Sequence, residues 1–441
     1  MRKPFRINPF IVFPFLFFLL LAPDNSWSQV QLGRPFITNY SYQDYDAGPT
    51  NWWATEGESG VMYFAQGSGV LEFDGVTWNL IPMNGNGARC LAKDENGVIH
   101  VGGIGEMGYL KPAANGKLEY VSLLDQIPEE HRLFADVWEV KYYKGKIIFG
   151  TEFKLYLWDG NTMQVITSEN GFHVMNVVHD KYYSRIWNVG LCVMEDYEFK
   201  LVPGGEMFAD ERVYVILPYD EEQLLIGTRT MGFFLFDGKE FKPFKTEIDE
   251  MIAGTIYLPG AALPDGNFVV NSFNDGAYLI DREGKLLQRY TTETGMQTGS
   301  VDFTYLDSRG VLWLPLFNGI SSVNLNSSFS VIDTDMGLED NVVYTTHRQG
   351  DLLYFSTNNG IFYLEDGSNK IYQVPGTVGQ GGGFLEIRGR LYTGTGTMGM
   401  IELKGKSFEY VRRSVNYDFR SRSFYQSKAD TNRFYVTHQQ G

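Results

Sequence analysis

The histidines are the residues of this chain that could most directly perform acid–base chemistry or bind a metal. They are His100, His131, His173, His179, His347 and His438. His173 and His179 stand six residues apart, but the apolar residues between them indicate a strand, so strand packing or solvent exposure is favoured over a metal pair. The sequence contains no GxSxG, HExxH or Walker motif. We therefore predict no catalytic residue, no cofactor-binding residue and no metal ligand.

Two short loops carry residues that could hold an ion. Residues 94–97 read Asp-Glu-Asn-Gly, which could begin a calcium loop, but Asp and Gly also form tight turns. Residues 379–383 are four glycines and one glutamine, but no helix follows to complete a phosphate site. We favour a turn at the first position and a flexible loop between structural repeats at the second.

Basic and aromatic side chains could instead bind a sugar polymer. A basic group stands out in an acidic chain: Lys404, Lys406, Arg412, Arg413, Arg420 and Arg422. It could pair with an anionic polysaccharide through its guanidinium groups, although a solvated strand face is the more common role. Trp52, Trp53 and Trp78 could stack on sugar rings, but all three fall on or beside predicted strands, which favours core packing.

The charge and cysteine content exclude several classes of protein. The net charge is −16 at pH 7, so this region should repel nucleic acid phosphates, and we expect no nucleic acid partner. Cys90 and Cys192 are about a hundred residues apart and form no CxxC motif, so we expect two separate buried thiols rather than a disulfide or a redox pair.

The first 28 residues have the order of a secretory signal peptide. Arg2, Lys3 and Arg6 precede an apolar run over residues 11–22, and Ser26 and Ser28 fit cleavage before residue 29. Twelve apolar residues span about 18 Å as a helix, which is short of the roughly 30 Å hydrocarbon core, although an uncleaved anchor is the alternative. We predict export to the periplasm or the extracellular space.

A strand–turn–strand motif recurs about every 41 residues. The central residues of its ten copies are Tyr63, His100, Ile148, Trp187, Leu225, Val269, Trp313, Tyr354, Tyr392 and Tyr435. Asp-Gly or Asn-Gly pairs follow or precede many of these strands, as tight hairpins require. The only helical turn predicted lies within residues 123–132. Strands grouped at this period predict an all-β fold, a β-propeller of four-stranded blades.

The repeat divides the chain into four segments. They are a signal peptide (1–28), a lead-in segment (29–50), a seven-bladed ring (51–338), and the first blades of a truncated second ring (339–441). The tenth copy stops near residue 441 before a fourth strand, and an unfinished blade leaves a strand edge unpaired. We therefore expect the chain to be part of a longer protein.

Residues 39–53, which read NYSYQDYDAGPTNWW, and the strands at 60–65 and 69–78 resemble the opening of bacterial two-component regulator propeller proteins. The later copy at 353–361 resembles the repeat of that family. The resemblance implies two seven-bladed propellers and a triple-tyrosine domain outside the inner membrane, followed by a transmembrane helix. It also implies a cytoplasmic histidine kinase, helix-turn-helix or cyclase output. This chain lacks all the parts that follow the propellers, so contact with the membrane would require a missing C-terminal part.

The sequence leaves three functions open. The resemblance favours an extracytoplasmic sensor that binds an oligosaccharide or other nutrient without chemistry. A homodimer is a further expectation. A secreted propeller enzyme and an adhesion or interaction scaffold are the alternatives, but an enzyme needs converging carboxylates, histidines or a metal that the sequence does not display.

Overall fold

The computed structural model describes residues 33–438, except for 85–86, 254–256, 328, 339–340, 369, 397 and 414–420. The predicted signal peptide and its cleavage point before residue 29 lie outside the described residues. Over the described ranges, no helix has the length and apolar character needed to span a bilayer.

The described elements are short strands joined by tight turns. Two strands come first, β1 (Arg34–Pro35) and β2 (Ile37–Tyr40), and helix α1 (Tyr42–Tyr45) follows them. Sheet 1 contains β3 (Asn51–Glu56), β4 (Met62–Gln66), β5 (Gly69–Phe73) and β6 (Trp78–Pro82). Sheet 2 contains β7 (Ala88–Lys93), β8 (Ile99–Gly103), β9 (Met107–Pro112) and β10 (Leu118–Ser122). Sheet 3 contains β11 (Glu139–Tyr143), β12 (Lys146–Gly150), β13 (Lys154–Trp158) and β14 (Met163–Thr167).

The next sheets repeat this pattern. Sheet 4 contains β15 (Phe172–Val178), β16 (Lys181–Ile186), β17 (Gly190–Glu195) and β18 (Glu198–Leu201). Sheet 5 contains β19 (Val213–Pro218), β20 (Leu224–Thr228), β21 (Phe233–Phe236) and β22 (Phe241–Phe244), and helix α2 (Asp249–Ile252) follows. Sheet 6 contains β23 (Tyr257–Ala262), β24 (Phe268–Ser272), β25 (Gly276–Ile280) and β26 (Leu286–Tyr290). Sheet 7 contains β27 (Tyr305–Leu306), β28 (Val311–Leu316) and β29 (Gly319–Asn324), and β30 (Ser330–Val331) pairs with β1.

The seventh sheet takes its fourth strand from the start of the chain. Strand β2 pairs antiparallel with β29, so that Ile37 lies opposite Val323 and Tyr40 opposite Ile320. Strand β28 also contacts β3, so the seventh sheet lies against the first. The segment 29–50, predicted to be a lead-in, therefore supplies a strand to the unit that spans Arg34–Val331. The unit begins and ends with strands that pair within it, and β2 covers the edge that β29 would otherwise expose.

A second compact unit follows from Ile332 onward. Sheet 8 contains β31 (Val343–Gln349), β32 (Leu352–Thr357), β33 (Gly360–Glu365) and β34 (Ile371–Gln373). Sheet 9 contains β35 (Gly381–Ile387), β36 (Arg390–Thr395), β37 (Gly399–Lys404) and β38 (Ser407–Arg413). A hairpin of β39 (Ser421–Gln426) and β40 (Phe434–His438) comes after them. The boundary between the two units falls at residue 331, whereas the sequence placed the end of the first ring at 338.

The predicted repeat corresponds to one sheet per copy. Nine of the ten aligned central residues lie in the second strand of a sheet, and the tenth, Trp187, directly follows β16. The predicted helical turn within 123–132 forms two 3-10 turns, Leu124–Gln126 and Glu129–His131. The two α-helices were not predicted, because a single helical turn leaves no periodic apolar pattern in a sequence.

The Asp-Gly pairs form turns closed by the aspartate itself. The Asp74 carboxylate accepts hydrogen bonds from the N–H groups of Val76 and Thr77 at 2.8 and 2.6 Å. Gly75 takes φ of 100°, a conformation that costs glycine little. Asp159 repeats this arrangement, and the N–H groups that it accepts lower the pKa of its carboxyl to about 2. The turn signals in the sequence thus have a direct physical cause.

The apolar core lies between adjacent sheets. One cluster of buried side chains continues from Trp53 in sheet 1 through Cys90 in sheet 2 to Phe149 and Tyr156 in sheet 3. Because each sheet buries its faces against its neighbours, the sheets stabilise one another as stacked units. Cys90 and Cys192 are both buried free thiols, as the sequence predicted.

A candidate ligand-binding face on the first unit

In each sheet of the Arg34–Val331 unit, the start of the first strand lies beside the end of the second strand. These strand ends lie together on one face of the unit. Backbone hydrogen bonds join these positions in successive sheets. The Val137 N–H donates to the Gly103 carbonyl at 3.0 Å, and the Val301 N–H donates to the Ser272 carbonyl at 3.5 Å. The Gly319 N–H donates back to the segment before sheet 1 at 2.8 Å. We call this surface the first-strand face.

Two tryptophans and an arginine form a platform on this face. The Arg89 guanidinium lies 4.0 Å from the centroid of the Trp52 ring and 5.4 Å from that of Trp138. The Asp136 carboxylate accepts a hydrogen bond from Arg89 Nε at 3.0 Å and fixes the guanidinium between the rings. Trp138 is 50% exposed, so much of its ring surface is open to solvent. We call these residues the tryptophan–arginine platform.

A second group of polar and aromatic residues lies between sheets 4 and 5. The Arg185 guanidinium stacks 3.5 Å above the Trp187 ring centroid, and Arg212 lies 5.8 Å from the same ring. The His173 ring meets the Trp187 and Tyr214 rings edge to face, at centroid distances of 5.5 and 5.2 Å. We call this group the arginine pair site.

Burial and two nearby cations change the proton affinity of His173. Desolvation lowers the pKa of its imidazole to about 4, and the positive charges of Arg185 and Arg212 act in the same direction. A backbone hydrogen bond to Val213 opposes the shift. His173 is therefore neutral at physiological pH.

Apolar and charged side chains also pack around the axis of the unit. Trp53 stacks on Phe303 with ring centroids 3.7 Å apart, and Lys141 Nζ lies 5.0 Å from the Trp53 centroid. Lys141 also pairs with Glu139 at 3.2 Å. Beside them is a cavity of about 110 Å³, lined by Glu139, Lys141, Asn176, Tyr214, Pro259 and Phe303 among others.

Asp302 is an ionisable group in an unfavourable environment. Its Oδ2 atom is buried and has no hydrogen-bond partner among the described residues. Burial raises the pKa of its carboxyl to about 7, and the positive charge of Arg89 only partly opposes this. Arg89 is already paired with Asp136, so it cannot also neutralise Asp302 at close range.

The histidines singled out by the sequence have separate roles. His179 Nε2 lies 2.7 Å from the carbonyl of Asp220 in a turn, whereas His173 lies in β15. His100 contacts the Asp94 carboxylate at 3.1 Å, and that carboxylate also accepts the N–H of Asn96 at 2.9 Å, as in a turn. Nowhere in the part of the chain that the structure describes do three or more His, Cys, Asp or Glu side chains group as a metal site would require.

Other candidate residues differ from expectation. The glycine-rich segment was predicted to be a flexible loop, but Gly381 begins strand β35. A side chain at Gly381 would meet Ser356 Oγ at 2.3 Å, so glycine is needed where the strand approaches sheet 8 closely. Core packing was predicted for three tryptophans. It holds for Trp53, which is buried, and for Trp78, which stacks on Phe73 at 4.1 Å, whereas Trp52 belongs to the platform.

The basic group near the end of the chain is only partly described. Lys404 pairs with Glu402 at 2.5 Å, and Lys406 pairs with Glu365 at 2.8 Å, as on a solvated strand face. Arg420 and the side chains of three other members lie outside the described residues, namely Arg412, Arg413 and Arg422.

The residues of the two groups on the first-strand face were mostly missed in the sequence. Arg89, Trp138 and Arg212 stand far apart in the chain, and no motif links them. The repeat itself held a usable signal, because each lies at or just before the start of a first strand.

Comparisons with solved structures agree with the propeller fold. The extracellular domain of a protein assigned to a hybrid two-component system of B. thetaiotaomicron superimposes with a TM-score of 0.66 and 16% identity, over 89% of this chain and 57% of that chain. Another extracellular domain from the same organism, assigned to a one-component system, gives a TM-score of 0.54 and 13% identity, over 92% of this chain and 58% of that chain. The virginiamycin B lyase of Staphylococcus aureus gives a TM-score of 0.51 and 10% identity, over 66% of this chain and 99% of that chain. No protein-family model matches the sequence, and a search of curated proteins found no match.

The similarity confirms the predicted fold class, a β-propeller built from four-stranded blades. The structural neighbours include extracellular domains of proteins assigned to hybrid two-component systems, as the sequence resemblance implied. The chain spans a little over half the length of those two domains.

Proposed function

We propose that this chain is the ligand-sensing propeller region of an exported, membrane-bound receptor, and that the first-strand face of the Arg34–Val331 unit binds the ligand. The observation that carries this proposal is the tryptophan–arginine platform. Asp136 holds Arg89 between two tryptophans while the Trp138 ring stays half exposed. Large exposed aromatic rings beside fixed polar groups are typical of recognition sites.

A glycan is the ligand that this face would suit. The apolar side of a pyranose ring can stack on Trp138, and the ring hydroxyls can bind to the arginine, histidine and tyrosine groups nearby. The structural neighbours support a sensing role because two are extracellular domains of proteins assigned to signalling systems. Ligand binding would then need only to favour one receptor arrangement by a few kcal/mol.

Signalling would require parts of the receptor outside this chain. We propose that further sequence carries the attachment to the membrane and the output domain. Export would begin with removal of residues 1–28, so N-terminal sequencing of exported protein should find residue 29 first. An intact Met1 in the membrane fraction would instead favour an uncleaved anchor. A homodimer stays a prediction, which light scattering on the purified ectodomain can test.

The test of ligand binding is calorimetry of the ectodomain against a panel of oligosaccharides. For any oligosaccharide that binds, Trp138→Ala should weaken affinity by at least about tenfold, which corresponds to about 1.4 kcal/mol. Leu287→Ala is the control, since Leu287 is an exposed apolar residue on a fourth strand and away from this face. Equal affinity of the Trp138→Ala variant and the unmodified protein would overturn the proposed location.

A secreted enzyme is the second candidate, because a propeller lyase is among the structural neighbours. Product analysis after incubation with each bound oligosaccharide separates the two functions. A sensor should return the ligand intact. Turnover that is lost on substitution of a single carboxylate would favour the enzyme.

A further inference from the structure

We propose that the arginine pair site binds a carboxylate that has a hydroxyl group beside it, as in a sugar acid or a small hydroxy acid. This inference rests on the proposed function, since it assigns a ligand chemistry to the same face. It concerns His173, Arg185, Trp187, Arg212 and Tyr214.

Arg185 has a hydrogen-bond donor that nothing in the described structure satisfies. The residue is 0% exposed. Its Nε donates to the Phe208 carbonyl at 3.0 Å, and its Nη2 donates to the Ala209 carbonyl at 2.6 Å. Its buried Nη1 has no partner within the described residues. Leaving a buried charged donor unpaired is costly, so this atom marks a place where an acceptor is expected.

Arg185 and Arg212 also lack close carboxylate partners. No ion pair within 4.0 Å joins either guanidinium to a carboxylate among the residues that the structure describes. Within the described ranges, the one hydrogen bond from the Arg212 side chain runs from Nη1 to the Tyr214 hydroxyl, at 3.4 Å. Glu211 is close in sequence, but its Oε1 accepts the Arg212 backbone N–H at 2.6 Å and its Oε2 accepts the Thr230 hydroxyl.

Two neighbouring guanidinium groups without close counter-ions favour an anionic ligand. Burial lowers the pKa of Arg185 to about 10, while the more distant Asp210 and Glu211 oppose this and Arg212 adds to it. Arg185 is thus charged at neutral pH, in a chain whose net charge is −16. A carboxylate matches the planar geometry of guanidinium donors, which makes it the expected counter-ion.

His173 adds a requirement for a hydrogen-bond donor on the ligand. Its Nδ1 is buried and has no partner in the described part of the chain. The backbone hydrogen bond to Val213 must therefore involve Nε2, which leaves Nδ1 of the neutral ring as an acceptor. A carboxylate cannot donate to it, but a neighbouring hydroxyl can. The two unsatisfied atoms together select a carboxylate and a hydroxyl on one ligand.

The test first compares two ligands that differ only in their carboxyl groups, and then adds a small hydroxy acid. Calorimetry on the unmodified ectodomain should use a galacturonic acid trimer, the matching neutral galactose trimer, and gluconate as a free hydroxy acid. We expect the acidic trimer to bind at least about tenfold more tightly than the neutral one, with an affinity that falls as salt rises. Binding of gluconate at similar affinity would identify a small hydroxy acid as the source of the carboxylate.

Variants separate this proposal from the broader one. Arg212→Gln should reduce the affinity for the acidic ligand at least about tenfold and leave that for the neutral trimer unchanged. Arg289→Gln is the matched control, because Arg289 lies on a fourth strand, β26, and its side chain donates to the Met251 sulfur. Thermal unfolding of each variant should confirm that it folds.

Each outcome decides between the proposals. Equal binding of the acidic and neutral trimers, both weakened by Trp138→Ala, would overturn the carboxylate site and keep the glycan-binding face. A crystal structure that shows only ordered water on Arg185 Nη1, with the acidic ligand elsewhere, would also overturn it. Absence of binding by all three probes would count against both.

Discussion

Replacing Asp302 with asparagine should stabilise the protein at alkaline pH. The Asp302 carboxyl has a pKa near 3.8 in an unfolded chain and about 7 when folded, because burial disfavours its charged form. The folded state therefore holds this proton to higher pH than the unfolded state does. The stability that the protonated Asp302 carboxyl contributes to the folded state is fully present below pH 3.8 and is lost as the pH rises to about 7. Asparagine carries no charge at any pH and avoids this loss.

The magnitude follows from the interval between the two pKa values. An interval of about 3 pH units corresponds to about 4 kcal/mol at 1.36 kcal/mol per unit, which is an upper bound. Asp302 is only partly buried, so solvent screening reduces the expected gain to about 1–2 kcal/mol at pH 8. At pH 3.5, below the unfolded pKa of 3.8, most of the difference in stability between Asp302→Asn and the unmodified protein should vanish.

Urea unfolding followed by tryptophan fluorescence at pH 3.5, 5, 6.5 and 8 measures this difference. Asp159→Asn is a control of opposite sign, because exposed backbone N–H groups lower the pKa of Asp159 to about 2. That variant should lose stability at neutral pH and recover relative to the unmodified protein in acid. A stability difference for Asp302→Asn that stays constant from pH 3.5 to 8 would refute the assignment of a raised pKa.

Three further predictions concern packing and closure. Gly276→Ala should destabilise the folded protein by about 2 kcal/mol or more, since the new Cβ would lie 2.0 Å from a backbone oxygen. Thermal unfolding should show a smaller cost of about 1 kcal/mol for Gly232→Ala, where φ is similar but no atom lies close to the new Cβ. Cys90 and Cys192 should resist a thiol reagent at pH 8 until the protein unfolds, because burial raises the pKa of both thiols; labelling of the native protein at the rate of a free thiol would contradict this. Deleting residues 34–41 should lower the melting temperature and promote association between copies of the protein, because β29 would become an exposed edge strand. An unchanged melting temperature and a monomeric state would argue against the role of β2 in completing the seventh sheet.

The fold class followed from the sequence because its causes are local. Asp-Gly turns, short apolar strands and a period of about 41 residues repeat along the chain, and each hairpin needs only its own residues to form. Of the ten aligned central residues, of which Tyr63 is the first, nine lie in the second strand of a sheet. The two buried cysteines were also predicted, because apolar strands that recur at this spacing must bury their faces against one another.

Tertiary structure decided the rest, since it depends on pairs of residues that are distant in the chain. Only pairing of Ile37 with Val323 shows that the first residues complete the seventh sheet. Arg89 meets Trp52 and Trp138 because three first strands lie side by side, although 37 and 49 residues separate it from them. A sequence shows which side chains a chain has, but the packing of sheets determines which of them lose their water and lack a partner. That packing leaves the Arg185 donor unsatisfied, and this is why the candidate site could not be read from the sequence.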